Sequence, residues 1–162
     1  MENLKADLHP PVDRANIVIV DDDPALGELL SRFLTKKNYA VNCFLSPAQA
    51  LGHLKDHPVN FLLTDLHMPE MNGVELIKAT KKFKPDLPII VMSGTYDLSL
   101  LDELDSLKVS QRIAKPFKLE ALEQIIAQNL NSVESLTAVN DKHSRNSNIK
   151  LTGQGEVYDK RT

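Results

Sequence analysis

Hydrophobic residues recur along the chain with two different periods, and the changes of period mark the predicted elements. Residues 16–20, NIVIV, form an almost continuous apolar run, which is typical of a strand buried on both faces. Apolar residues then recur at the spacing of one helical face, at Leu26, Leu29, Leu30 and Phe33. The pattern predicts a buried strand followed by an amphipathic helix with these four residues on its core face.

The same alternation repeats four more times before residue 130. The further strands are predicted over residues 39–44, 59–65, 87–93 and 111–114. The further helices are predicted from Ser46-Pro47 to about Lys55 and over residues 73–83, 97–107 and 118–130. The core faces of the last two helices are predicted to carry Leu98, Leu101 and Leu104, and Leu119, Leu122, Ile126 and Leu130. Five strand–helix units predict an α/β fold, a doubly wound parallel sheet covered by helices on both faces.

Both ends of the chain differ in composition from this middle part. Residues 1–15 are polar and contain a Pro-Pro pair, which predicts a flexible leader. Residues 131–162 are rich in Asn, Ser, Lys and Asp, which predicts a disordered tail. The tail shows no helix-turn-helix pattern and no enzyme motif. We therefore expect a single domain over residues 16–130, with no output domain.

Composition narrows the class of protein. Hydrophobic residues make up 42% of the chain and charged residues 25%, as in soluble globular proteins. A net charge of −3 and the absence of Trp argue against direct nucleic-acid binding. No apolar run has the length of a membrane span or a signal peptide, so we expect a cytoplasmic protein. The single cysteine, Cys43, is predicted to be a small core residue.

Candidate chemistry lies at the strand ends, because ligands of open parallel sheets bind beyond the carboxyl ends of the strands. The polar groups there are Asp21, Asp22 and Asp23, Asp65, Ser93 with Gly94, and Lys115 with Pro116. Clustered carboxylates need a proton or a cation, and oxygen ligands favour Mg²⁺. A carboxylate surrounded by a cation, an ammonium and a hydroxyl describes a phosphoryl-transfer site with a carboxylate nucleophile. Asp23 precedes Pro24, so we expect it to cap the first helix instead.

Four motifs occur in order at the strand ends: VDD, TDLHMPEMNG, MSG and KPF. Together they resemble the receiver domain of two-component response regulators, over about residues 16–130, and the chain resembles its stand-alone, chemotaxis-regulator-like members. The resemblance implies a flavodoxin-like fold with strand order 2-1-3-4-5.

The resemblance assigns the metal half of the site. It implies that Asp65 is the phosphoacceptor and that Asp21 and Asp22 hold Mg²⁺ (or Mn²⁺) together with Asp65. Asp22 is expected to be a direct ligand and Asp21 to act through water. The backbone carbonyl of His67 is expected to complete the metal ligands.

The remaining strand ends supply the phosphoryl half. Ser93 and Lys115 are implied to contact the phosphoryl group, Gly94 to leave room beside it, and the bond before Pro116 is often cis in the family. We expect the His67 imidazole and Thr95 to modulate hydrolysis of the acyl phosphate. Gly73 is expected to form a tight turn before the third helix.

One position departs from the family pattern. Receivers usually carry Tyr or Phe three residues before the conserved lysine, as a rotating switch residue, and this chain has Arg112 there. Aromatic switching is therefore in question, and Arg112 is a candidate for charge or hydrogen-bond contacts to a partner.

The resemblance also implies partners: a sensor histidine kinase or phosphotransfer protein as donor, and an unknown downstream protein as target. We expect no membrane partner, and a homodimer is possible. The expected role is that of a phosphoacceptor signalling domain rather than an enzyme, with at most weak self-dephosphorylation.

Two alternatives stay open at this stage. One is a haloacid-dehalogenase-type phosphohydrolase with Asp21 as nucleophile and Asp23 as general acid; it would need an acidic pair where the chain offers only Glu120 and Glu123. The other is a degenerate receiver that acts only as a binding module.

Overall fold

The computed structural model describes residues 14–94, 98–109 and 111–130, which all belong to the first of two units of the chain, Met1–Leu130. The predicted tail, most of the predicted leader and Thr95 lie outside the described residues, so their predictions stay untested. None of the helices in the described ranges has the length and apolarity that crossing a bilayer requires.

Strands and helices alternate strictly along the described chain. The strands are β1 (Asn16–Val20), β2 (Ala40–Phe44), β3 (Phe61–Asp65), β4 (Ile89–Ser93) and β5 (Gln111–Ala114). The helices are α1 (Pro24–Lys36), α2 (Pro47–Asp56), α3 (Gly73–Lys81), α4 (Leu98–Ser106) and a fifth, α5, over residues 119–130. Every predicted element is present. The largest differences in a boundary are two residues, at the start of β3, at the start of β4 and at the end of α3.

All five strands run parallel in the order β2-β1-β3-β4-β5, which confirms the predicted doubly wound sheet. Apolar side chains project from both faces of the sheet and form two core clusters. One core cluster gathers around Val18, Leu62 and Val91 with residues of α2, α3 and α4. The other gathers around Ile19, Leu63 and Met92 with residues of α1 and α5.

The core faces of two helices differ from the prediction. On α1 the buried side chains are Leu30 and Leu34, whereas Leu29 is 50% exposed. Leu29 lies about 100° around the helix from Leu30, on the edge of the apolar stripe, so the sheet does not cover it. The expectation of a four-residue face including Leu29 was wrong.

On α4 the apolar face is rotated relative to the prediction. Leu104 is buried as expected, but the residues that pack against the core beside it are Leu100 and Leu107, which directly follows the helix. Leu101 is only half-buried, and the side chain of Leu98 lies outside the description. The spacing 100, 104, 107 is as helical as 98, 101, 104, so the periodicity alone could not choose between the two faces.

Cys43 is exposed, so its predicted place in the core was wrong. It lies on β2, the edge strand, where fewer neighbours cover the side chains than on the central strands. The α5 prediction is confirmed: Leu122 and Ile126 are buried, and Leu119 and Leu130 pack beside them.

The start of α1 confirms the predicted cap. Asp23 has an extended backbone, Pro24 follows at the first helical position, and the Asp23 carboxylate accepts hydrogen bonds from the backbone N–H groups of Ala25 (2.9 Å) and Leu26 (3.3 Å). Two backbone donors that the helix leaves unpaired are thereby satisfied.

We expect the Asp23→Ala variant to lose about 1 kcal/mol of unfolding free energy, because both cap hydrogen bonds are removed. Urea denaturation followed by circular dichroism measures the loss. The matched control is Ser46→Ala, since Ser46 precedes α2 at the equivalent position but makes no side-chain cap hydrogen bond. Equal losses in the two variants would contradict the capping role of Asp23.

Candidate functional site

The register of the sheet places the polar strand ends side by side. Val20 of β1 pairs with Thr64 of β3, so the residues that follow, Asp21 and Asp65, are neighbours. On the other side of β3, Ser93 of β4 pairs with Ala114 of β5, the residue before Lys115. Four groups from four strand ends therefore meet at one edge of the sheet, as the sequence predicts.

The ammonium group of Lys115 lies between two carboxylates. Its Nζ is 2.7 Å from Asp21 Oδ2 and 3.0 Å from Asp65 Oδ1. Burial lowers the pKa of Lys115, but the hydrogen bonds and charges of Asp21 and Asp65 outweigh it, and the pKa is raised above its ordinary value. Lys115 is therefore held as a cation at neutral pH.

Backbone N–H groups fix the outer oxygens of the same two carboxylates. Asp21 Oδ1 accepts from the N–H of Asp23 (3.0 Å), and Asp65 Oδ2 accepts from the N–H of His67 (3.1 Å). Asp21 is fully buried and Asp65 is 6% exposed. Their burial is compatible with negative charge only because each carboxylate has both a hydrogen-bond donor and a cation beside it.

The donor set fits a hard cation of the Mg²⁺ type. Asp22, next to Asp21, is exposed, and its carboxylate makes no hydrogen bond or ion pair with any residue that the structure describes. Within the described ranges, no three acidic, imidazole or thiol side chains converge on a metal position by themselves. Mg²⁺ does not require such a trio, because it keeps several waters and takes only one or two carboxylates.

His67 and Ser93 face each other across the mouth of the site. Ser93 is buried at the end of β4, and its Oγ is 3.5 Å from Nδ1 of the exposed His67 imidazole. The backbone carbonyl of Ser93 accepts from the N–H of Lys115 (2.8 Å), which ties the ends of β4 and β5 together. The Lys115–Pro116 bond is cis. The roles predicted for these residues remain predictions.

Gly94 and Thr95 follow Ser93. A Cβ at Gly94 would meet no atom of the described residues within 4 Å, so packing in the described structure does not require glycine there. Its expected role toward a phosphoryl group stays a prediction, as does that of Thr95.

Gly73 has a structural role that the sequence pattern does not reveal. It is the first residue of α3 and has no positive φ, so the tight turn expected of it is wrong. Asn72 caps the helix instead, in a reciprocal capping box with Glu75. A Cβ on Gly73 would lie 2.1 Å from the carbonyl oxygen of Asp65. Glycine is needed because α3 begins directly against the backbone of Asp65.

Arg112 has a partner within the chain. Its guanidinium forms an ion pair with the carboxylate of Asp105, which connects β5 to α4. The sequence suggests contacts from Arg112 to a partner protein, whereas the structure pairs it with Asp105. The seven-residue separation of these residues gives no helical or strand signal that could have identified the pair.

The geometry is unfavourable to a nucleophilic Asp21 with an acidic Asp23. Asp21 is fully buried with both oxygens engaged, and the Asp23 carboxylate accepts two backbone N–H groups as a helix cap. Glu123 of α5 is one of the acidic residues that the phosphohydrolase hypothesis would need, and its carboxylate accepts a hydrogen bond from the hydroxyl of Tyr39 (3.3 Å).

Comparisons with known proteins identify relatives of this chain in sequence and in structure. Residues 17–127 match the family model described as the response regulator receiver domain. Over 106 residues the chain is 34% identical to the response regulator receiver protein CpdR of Brucella abortus, covering 65% of this chain and 88% of that protein. A receiver domain protein (CheY-like) from Methanospirillum hungatei JF-1 matches in structure with a TM-score of 0.73 at 25% identity, covering 75% of this chain and 98% of that one.

Other relatives are longer than the matched region. The chain is 31% identical to response regulator RR06 of Streptococcus pneumoniae over 66% of its own length but covers 49% of that protein. It is 31% identical to the DNA-binding transcriptional regulator NtrC of Azospirillum brasilense and covers 24% of that protein. The similarity therefore covers only a part of each of these two regulators.

Proposed function

Because the chain belongs to the response regulator receiver domain family, we propose that its Asp65 accepts a phosphoryl group from a phosphohistidine in a Mg²⁺-dependent reaction. The observation that carries this assignment is the Lys115 ammonium between the carboxylates of Asp21 and Asp65. Of these two, Asp65 is the carboxylate that retains some exposure to solvent. The comparisons support the receiver role and give no support to the phosphohydrolase alternative.

Receiver domains generally bind Mg²⁺, and the residues of this chain suit that ion. We propose that Asp22 and Asp65 are its carboxylate ligands, with the His67 carbonyl, and that Asp21 acts through water. A divalent ion supplies charge neutralisation of the phosphoryl oxygens and holds them in position when bound. The Asp22 carboxylate is exposed and has no partner among the residues that the structure describes, which supports this assignment.

The chain's own groups then account for the transfer. A carboxylate oxygen of Asp65 forms the new bond to phosphorus while the bond from phosphorus to the donor's imidazole nitrogen breaks, and the nitrogen keeps the electron pair. Lys115 pairs with Asp65 before transfer, so its ammonium is already in place for the added negative charge. The hydroxyl of Ser93, at the adjacent strand end, is the proposed donor to a phosphoryl oxygen.

A protein donor fits the surroundings of Lys115. Receiver domains generally interact with histidine kinases or phosphotransfer proteins, and we propose such a partner here. Lys115 lines an open groove of about 410 Å³ together with Leu26, Leu29 and Phe117. This apolar rim beside a cationic group suits contact with another protein surface. The expectation that the protein does not contact nucleic acid directly stays a prediction. An unknown downstream protein, a homodimer and a cytoplasmic location also stay predictions.

Acetyl phosphate with Mg²⁺ is expected to add one phosphoryl group to the protein, measured by intact-mass spectrometry, and Asp65→Asn is expected to abolish the addition. An amide cannot act as the nucleophile, whereas its size preserves the packing of the site. The acyl phosphate should also be lost at alkaline pH, because such linkages hydrolyse readily in base.

The Asp21→Asn variant separates this proposal from the phosphohydrolase alternative. We expect it to retain some labelling, since it removes a second carboxylate but leaves the nucleophile. Labelling that survives Asp65→Asn and disappears in Asp21→Asn would contradict the proposal. A wild-type protein that no phosphodonor labels would favour the degenerate receiver.

A further inference from the structure

Helix α4 is tied to both of its neighbours by ion pairs on one turn. Glu103 pairs with Lys78 of α3 at 2.5 Å, and Asp105 pairs with Arg112 of β5. The Asp105 side chain is 67% exposed, whereas that of Arg112 is only 28% exposed. Asp105 of α4 is therefore the more solvent-exposed partner of the pair.

The Arg112 end of this tie lies close to the phosphoryl-transfer site. In the sheet, Arg112 pairs with Val91, two residues before Ser93. Along β5 it lies three residues before Lys115, whose N–H is bonded to the carbonyl of Ser93. Asp105 thus connects α4 to β5, the strand that pairs with β4 and is followed by Lys115.

An open cavity borders one side of helix α4. A cavity of about 350 Å³ lies between α3 and α4, lined by Leu66, His67, Leu100 and Glu103 among others. Leu100 is only partly buried, although it packs against the core. Close packing therefore does not fix this side of α4, and the ion pairs carry a larger share of its positioning.

We propose that Arg112 and Asp105 form an ionic latch that holds α4 in its unphosphorylated position and opens when Asp65 is phosphorylated. Arg112 then performs with charge the coupling between site and helix that an aromatic residue performs elsewhere in the family. A largely exposed ion pair is weak and is screened by salt, which suits a contact that must open in response to one phosphoryl group. The inference rests on the proposed function of Asp65.

The latch predicts a change in affinity at the phosphoryl site. The free energy needed to open the latch reduces the observed binding free energy of the phosphoryl group. Removing the latch should therefore strengthen that binding. We expect Asp105→Asn and Arg112→Gln each to raise the affinity for beryllofluoride, a phosphoryl mimic, by up to about fivefold, the range of exposed ion pairs. Isothermal titration calorimetry in saturating Mg²⁺ measures the affinity.

The double variant makes the test specific to the pair. Asp105→Asn with Arg112→Gln should show no greater affinity than either single variant, because both remove the same interaction. The charge swap Asp105→Arg with Arg112→Asp should return the affinity toward the wild-type value. Raising the salt concentration should narrow the difference between wild type and the single variants.

The exposed pair of Arg32 and Glu28 on α1 is the matched control, since it lies within one helix and connects no elements. Arg32→Gln should leave the beryllofluoride affinity unchanged. If the wild type binds beryllofluoride and the latch variants bind it with the same affinity, the latch is overturned while the proposed function stands. The same conclusion follows if the effects of the two substitutions are independent and add. Absence of binding in the wild type as well would overturn the proposed function and the latch with it.

Discussion

Lys115→Ala is expected to lower the free energy of unfolding at neutral pH by about 1–3 kcal/mol, a value below that of a fully buried pair because Lys115 is partly exposed. The substitution leaves the carboxylates of Asp21 and Asp65 close together without their shared cation. Asp21 is fully buried, so water cannot replace the lost ammonium at that carboxylate. Urea denaturation without divalent ions measures the effect.

Two further variants identify the cause. Lys118→Ala is the matched control, because Lys118 is exposed a few residues along the chain and makes no ion pair with a described residue. We expect that variant to be within about 0.5 kcal/mol of wild type. Adding Asp21→Asn to Lys115→Ala should restore part of the loss, since it removes one of the uncompensated charges. An equally stable Lys115→Ala protein would show that the two carboxylates do not depend on this cation.

Gly73→Ala is expected to destabilise the protein by about 1–3 kcal/mol, as overpacking in a tight interior does. The new Cβ would be placed 2.1 Å from the carbonyl oxygen of Asp65. Since backbone atoms cannot rotate away like a flexible side chain, either α3 or the end of β3 must shift. The same shift should displace the Asp65 carboxylate, so we also expect slower labelling by acetyl phosphate.

Gly52→Ala provides the opposite control within the same chain. Gly52 lies inside α2, and a Cβ there would meet no described atom within 4 Å. Alanine has the higher helix propensity, so we expect this variant to be more stable than wild type by about 0.5–1 kcal/mol. If the two Gly→Ala substitutions change the free energy of unfolding in opposite directions, the loss at position 73 is due to the contact with Asp65. Similar changes in both variants would contradict that contact.

The sequence was sufficient for the element order and for the chemistry at the strand ends. Continuous apolar runs identify strands buried on both faces, and parallel strands bring their carboxyl ends together. The sequence alone therefore places Asp21, Asp65, Ser93 and Lys115 at one edge of the sheet. Local capping was equally predictable at Asp23, because the cap and its helix are adjacent in sequence.

The remaining features depend on contacts between distant parts of the chain. The 3.6-residue period could not tell whether Leu29 or Leu34 meets the sheet, since both fit the apolar stripe of α1. Cys43 alternates like a core residue but lies on an edge strand. The need for glycine at Gly73 arises from its approach to Asp65, and the pairing of Arg112 with Asp105 arises from how α4 packs beside β5. Neither contact leaves a periodic signal in the sequence.

The central claim is that Asp65 is the residue that accepts phosphate, and locating the acyl phosphate tests it most directly. The wild-type protein is labelled with acetyl phosphate and Mg²⁺, reduced with borohydride, which converts an aspartyl phosphate to homoserine, and analysed by peptide mass spectrometry. The predicted result is homoserine at position 65 and unmodified aspartate at positions 21, 22 and 23. Homoserine at position 21 or 22 with intact Asp65 would contradict the account.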